Sequence, residues 1–189
     1  IVHTGQHYDY AMSEKIFTDL GIKRTDIHLE IIPGSTTSQI TQMMLKLEVE
    51  METHRPNLVI VFGDTNSTFA GAVIAAKLNI PILHIEAGLR SYNRSMPEEI
   101  NRVVTDHLSK YLFAPTETAV KILKREGLGK NTFLTGDIMV DTIKNNLKIA
   151  LDKSTILSEL NLRNEKYYLL TLHRNYNVDD VQILLNLLN

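Results

Sequence analysis

The residues of this chain that could do chemistry sit in short polar bursts, each directly after an apolar run. Leu58-Val59-Ile60-Val61-Phe62 leads into Gly63-Asp64-Thr65-Asn66-Ser67-Thr68, and the run 82–85 leads into Glu86-Ala87-Gly88-Leu89-Arg90. Gly136-Asp137 follows 132–135, His173-Arg174-Asn175 follows 168–172, and Gly5-Gln6-His7-Tyr8-Asp9 follows 1–4. A further segment carries Arg90, Arg94, Glu98, Glu99 and Arg102. Asp64 and Asp137 read either as N-caps of following helices or as site carboxylates. Glu86 is a poorer cap, because Ala-Gly follows it, and a carboxylate at the rim of a buried sheet needs a partner. His173, with Arg174 beside it, could face a phosphate. His84, between Leu83 and Ile85, reads as a satisfied core histidine, and His3, His28, His54 and His107 read the same way. Glu98 and Arg102 lie four apart on a helix and share a face, as a surface ion pair or as part of a site. The polar loop Gly34-Ser35-Thr36-Thr37-Ser38 opens a helix and could hold an anion at its amides. No P-loop, dinucleotide fingerprint or HExxH spacing occurs. Carboxylates with basic companions suit proton abstraction from, and proton return to, an anionic substrate.

Such residues converge only if the elements between them deliver them to one edge. Apolar, β-branched runs at 1–4, 27–31, 58–62, 82–85, 111–114, 132–135 and 168–172 alternate with amphipathic stretches near 10–20, 37–53, 66–78, 97–109, 116–126, 138–150 and 179–188. Runs apolar at every position fit strands covered on both faces, as in a parallel sheet. The pattern is therefore βαβα, an α/β fold, and ligands of open parallel sheets bind beyond the carboxyl ends of the strands. Pro97 with Glu98 and Glu99 marks a helix start, and Thr116 reads as an N-cap. On the 97–109 helix, Ile100, Val103 and Val104 are expected to face the core, with Asn101, Arg102 and Thr105 on a polar face. The weakly periodic stretch 151–165 closes a first domain, 1–165, and 166–189 opens a second.

Composition narrows the class. The chain has 189 residues, 20 basic against 22 acidic, for a formal charge of −2, and 43% are hydrophobic. Basic residues are scattered singly, so nucleic acid is not an expected partner. Without Cys there is no disulfide, thiolate metal site or Cys nucleophile. No apolar stretch approaches the roughly 18 residues a membrane helix needs, and no signal-peptide pattern opens the chain, so it reads as cytoplasmic and not membrane-inserted. The start at Ile1 in a strand-like run and the end in a helix-like run read as a piece of a longer protein.

In order along the chain, Thr4-Gly5-Gln6-His7, Phe62-Gly63-Asp64-Thr65, His84-Ile85-Glu86-Ala87-Gly88-Leu89-Arg90, Pro97-Glu98-Glu99-Ile100-Asn101-Arg102, Ala114-Pro115-Thr116-Glu117, Thr135-Gly136-Asp137 and Thr171-Leu172-His173-Arg174 resemble the non-hydrolysing UDP-N-acetylglucosamine 2-epimerase family. The resemblance implies a GT-B architecture, two Rossmann-like domains with the second only begun here and the family's first strand and phosphate-site loop ahead of Ile1. It implies C2 epimerisation by anti elimination of UDP and re-addition, for cell-surface polysaccharide precursors, with no redox cofactor or metal and in a homodimer. By motif, Asp64, Glu86 and Glu98 stand at the family's catalytic carboxylates and His173 at its active-site histidine. Arg102, Arg90, Gln6 and Arg174 are the substrate-binding candidates.

Two departures, Asn175 where many members have a second Arg after His-Arg, and Asp9 where regulated bacterial members have Gln, fall in those enzymes' allosteric site and imply that allosteric activation is not shared. The loop Arg90-Ser91-Tyr92-Asn93-Arg94-Ser95-Met96-Pro97 is short and similar to the branch acting on UDP-2,3-diacetamido-glucuronic acid, where Arg94 could meet a sugar carboxylate. A GT-B glycosyltransferase and a degenerate sugar-nucleotide sensor are the competing readings.

Overall fold

The computed structural model describes residues 1–5, 17, 18, 20, 21, 25–162, 166–172 and 174–188. The chain divides into two compact units, Ile1–Asn146 and Leu147–Asn189.

In the first unit, β3 (Val59–Phe62), β4 (Ile82–Ile85), β5 (Tyr111–Ala114) and β6 (Thr132–Leu134) form a parallel sheet in that order. Two short strands, β1 (Val2–His3) and β2 (Ile27–His28), pair in parallel as a second sheet. Register is regular: Phe62 lies opposite Ile85, Ile85 opposite Phe113, and Ala114 opposite Leu134. Every strand of the larger sheet therefore ends at the same edge. The helices of this unit are α1 (Thr36–His54), α2 (Asn66–Lys77), α3 (Pro97–Leu108), α4 (Glu117–Arg125) and α5 (Ile138–Lys153), the last running past Asn146. A parallel sheet flanked by helices is the α/β class read from the sequence.

The larger core joins Met43, Leu47 and Met51 of α1 to Ala70, Ala72, Ile74 and Ala75 of α2, with Val61 and Ile82 beneath. Small residues let α2 lie close to the sheet; a Cβ on Gly71 would come within 3.3 Å of Val61 Cγ1. A second core gathers Ala87, Leu112, Ala114, Ala119 and Leu123. Side-chain caps set the helix starts: Ser35 accepts from Ser38 N–H at 3.2 Å and Thr116 from Ala119 N–H at 3.1 Å. A groove of about 700 Å³ runs beside β3, lined by Val2, Thr4, Val59, Val61, Phe62 and Gly71 among others.

Two expectations need correcting. The strand expected at 27–31 is only two residues long, because Glu30 takes a left-handed backbone (φ 49) that breaks the pleat, although Leu29 and Ile31 are still buried. The residues 168–172 form no strand: Tyr168 and Leu169 are almost wholly exposed, and a strand needs a partner edge. Within 151–162, α5 continues to Lys153 and α6 (Ile156–Glu159) follows.

The second unit holds α6, α7 (Asn175–Val178) and α8 (Val181–Leu188). No helix among the described residues is long and apolar enough to cross a membrane.

Candidate active site

The turn after β3 places Asp64. Gly63, at φ 62, lets the chain reverse direction, and its N–H donates to the Ile85 carbonyl at 3.0 Å. The N-cap of α2 is Thr65, whose Oγ1 accepts from Thr68 N–H, so Asp64 is released from capping. Its carboxylate is bound by the Arg102 guanidinium, and its carbonyl accepts from Asn101 Nδ2 at 2.9 Å. Asp137, by contrast, does cap: Oδ1 accepts from Met139 N–H at 2.8 Å.

The turn after β4 places Glu86. Its backbone is left-handed (φ 75), a conformation that costs a non-glycine residue on the order of 1–3 kcal/mol. What holds it is on the neighbouring strand: the N–H groups of Glu86 and Ala87 both donate to the Phe113 carbonyl at 3.0 Å. Gly88 (φ 83) completes the turn, and a Cβ there would lie 2.7 Å from the Ala119 carbonyl. Glu86 Oε2 stands 3.6 Å from where a Cβ on Gly63 would be, so the two turns bring the Asp64 and Glu86 carboxylates into one neighbourhood. Burial, then the charges of Asp64 and Asp137, raise the Glu86 carboxyl above its ordinary range, against Arg102 and His84. A carboxyl that keeps its proton more readily than usual is suited to acid and base roles near neutral pH.

Helix α3 supplies the cation, Arg102, with an orientation opposite to the one its apolar residues imply. Glu99, Asn101, Thr105 and Asp106 are buried, while Ile100 is half exposed. The buried face is polar because it meets the polar ends of β3 and β4 instead of an apolar surface. Asn101 Nδ2 also reaches Asn66 Oδ1 at 3.2 Å. The Glu99 carboxylate accepts from Ser91 N–H at 2.7 Å, the Ser91 hydroxyl at 2.8 Å and Tyr92 N–H at 3.0 Å. Burial opposes its charge, but these hydrogen bonds and Arg102 outweigh burial and hold the Glu99 carboxyl below the usual range. Glu99 thereby clasps the loop that connects β4 to α3. Arg102 lies between Asp64 and Glu99, the latter at 3.5 Å.

The structure thus brings together Asp64, Glu86 and Arg102. Glu98 is half-buried on the first turn of α3, and the expected pair with Arg102 does not form, Arg102 being taken by Asp64 and Glu99. Arg90 is corrected from substrate contact to structure. Its side chain is 1% exposed, with NH1 2.7 Å from Asp106 Oδ2 and Nε donating to Glu126 Oε1 at 2.9 Å. Gln6 and His173 lie outside the described residues, and Arg174, half-buried, belongs to the second unit. His84 is fully buried and hydrogen-bonded, as read, whereas His28, His54 and His107 are exposed. His54 and His107 occupy last helical turns, where the helix dipole favours a basic ring at the surface. Sequence reading missed Glu99, Asn101 and Asp106 as the supports of the cluster. Their signal was a polar i, i+2, i+7 set on a helix whose partners lie on other elements.

Comparison with known proteins gives the family. A family profile described as UDP-N-acetylglucosamine 2-epimerase matches residues 1–189. A UDP-N-acetylglucosamine 2-epimerase homolog of Methanococcus maripaludis is 50% identical over 100% of this chain and 53% of its own length. A UDP-2,3-diacetamido-2,3-dideoxy-D-glucuronate 2-epimerase of Pseudomonas aeruginosa is 44% identical over 95% of this chain and 50% of its own. The crystal structure of Methanocaldococcus jannaschii UDP-GlcNAc 2-epimerase in complex with UDP-GlcNAc and UDP superposes with a TM-score of 0.92 at 44% identity, over 100% of this chain and 52% of that one. The chain spans about half the length of the relatives it matches.

Proposed function

This chain belongs to the UDP-N-acetylglucosamine 2-epimerase family, and from that premise we propose that the whole protein interconverts UDP-N-acetylglucosamine and UDP-N-acetylmannosamine. The observation that carries the reading is the cluster of Asp64 and Glu86 with Arg102 at the carboxyl edge of a parallel sheet. In the forward half, a base takes the C2 proton, the C2–H electron pair becomes the C1=C2 bond of a 2-acetamidoglucal, and the C1–O bond breaks with UDP leaving. In the return half, a phosphate oxygen of UDP attacks C1 as an acid delivers a proton to the opposite face of C2. Inversion needs proton-carrying groups on two faces of one carbon, and carboxyls delivered by different strand ends meet that need. The raised Glu86 carboxyl supplies a group that both holds and releases a proton, and Arg102 orients Asp64 through their ion pair. Glu98 joins them from the first turn of α3, and His173 and Arg174 are kept by motif as a catalytic and a substrate-binding candidate. Gln6 is kept as a substrate contact, and the protein acts in the cytoplasm as a homodimer.

A second substrate is favoured by one feature. Arg94 is exposed in the loop clasped by Glu99, where it could meet the carboxylate of a UDP-2,3-diacetamido-uronate. Incubating the whole protein with each UDP-sugar separately and following the anomeric protons by NMR decides between them. The manno isomer from UDP-N-acetylglucosamine is expected. Turnover of the diacetamido-uronate alone moves the assignment to that substrate, and no isomer from either, with sugar passed to an acceptor, replaces epimerisation with glycosyl transfer.

A further inference from the structure

We propose that His84 and Asp106 form a buried, hydrogen-bonded positioning couple that fastens the Asp64 turn and the Glu86 turn together, so that the two carboxylates keep a fixed separation through the reaction. Neither residue reaches the open edge; both side chains are 0% exposed. His84 Nδ1 lies 2.7 Å from Asp106 Oδ1, and Nε2 lies 2.8 Å from the Gly63 carbonyl oxygen. A carbonyl only accepts, so Nε2 is the donor to Gly63, while Nδ1 pairs with an Asp106 carboxyl whose other oxygen receives the Gly88 N–H at 3.1 Å and lies 2.7 Å from Arg90.

The attachment points give the couple its meaning. Gly63 immediately precedes Asp64, and Gly88 lies two residues after Glu86 at the end of the left-handed turn. One buried pair thus grips the backbone on both sides of the reacting centre. The charges facing it come from every packed element: Glu86 and Arg90 beyond β4, Asp64 beyond β3, Asp106 and Arg102 on α3, and Glu126 at the end of α4. The buried Arg90 guanidinium meets both Asp106 and Glu126, which offsets the cost of taking the Asp106 carboxyl out of water. An apolar pair of the same volume would fill the space at less cost, but it would release the Gly63 carbonyl and the Gly88 N–H. What the couple adds is control of where two catalytic carboxyls stand.

This inference rests on the epimerase reading, and its test separates the two. In the unaltered whole protein, ¹⁵N NMR of the His84 ring is expected to show Nε2 protonated and hydrogen-bonded. A proton-free Nε2 would overturn the couple, whatever the protein catalyses. Asp106→Asn is expected to lower kcat about 100-fold, the scale of a small misplacement of reacting groups, with KM little changed and the pH profile of kcat displaced. Asp106→Glu should restore part of the loss. Unchanged kcat in a folded Asp106→Asn protein, or a loss confined to KM, sinks the proposal. If that variant does not fold, the ring nitrogens of the unaltered protein still decide. A ring protonated at Nε2 in a protein that fails to epimerise would leave the couple standing and remove the function.

Discussion

At Glu86 a left-handed backbone, a half-buried carboxyl and two acidic neighbours coincide, and each is a cost the fold bears for the sake of the site. Because its carboxyl is raised above the ordinary 4.5, the folded protein holds more protons than the unfolded one between that value and the raised one. Stability attributable to this group therefore falls as pH rises through that window and stays low above it. We expect Glu86→Gln to be more stable than the parent at about pH 8 by a margin that shrinks toward about pH 4, read from denaturant midpoints. The same substitution should cut epimerase turnover by about 100-fold or more, the usual size of an acid–base contribution. Equal midpoints at both pH values would contradict the buried, crowded environment. Glu98 meets a plainer test: Glu98→Gln should also slow turnover by about 100-fold, and near-normal rates would remove it from the catalytic set. Glu86 stands out in the sequence because it follows a strand, and Glu98 because it opens a helix at Pro97. Asp106 does not, because its meaning depends on His84 and Gly88, which only the fold brings to it.

Among the elements, the ones read most accurately were those whose sequence left no competing choice. The strands 82–85 and 111–114 and the helix start at Pro97 carry apolar runs, a preceding Pro81 or a fixed N1 residue, and the structure places them there. Helix α3 was read with the wrong face inward, since periodicity counts apolar residues and cannot see that the surface it packs on is polar. The turn between β4 and α3 depends on a glycine for space as well as for backbone freedom. Gly88→Ala would set a Cβ 2.7 Å from the Ala119 carbonyl and 2.8 Å from Leu123 Cγ, at φ 83. We expect that variant to lose several kcal/mol, as overpacking and strain combine, and to lose turnover as Glu86 shifts with its turn. Wild-type melting and turnover would show that the turn has slack that the packing does not reveal.

For the molecule as a whole, the apolar groove beside β3 leaves Ile60 and Phe62 at least half exposed, at one edge of the larger sheet. An open edge of this kind favours pairing with another strand. A β–α segment joined ahead of Ile1, with its strand in the groove, is expected to raise the denaturant midpoint, and an unchanged midpoint would mean the groove is not a strand seat. The α/β class was legible because alternation of elements is a property of the sequence; the meeting of Asp64, Glu86 and Arg102 was legible only in part, because parallel register is set by pairing between strands far apart in the chain. The most direct measurement is solvent deuterium entering C2 of UDP-N-acetylglucosamine in heavy water, compared between the unaltered whole protein and its Asp64→Asn and Glu86→Gln variants. We expect deuterium at C2 in both isomers from the unaltered protein and exchange slowed about 100-fold or more in each variant. Exchange at the unaltered rate in both variants would show that the proton at C2 is handled elsewhere.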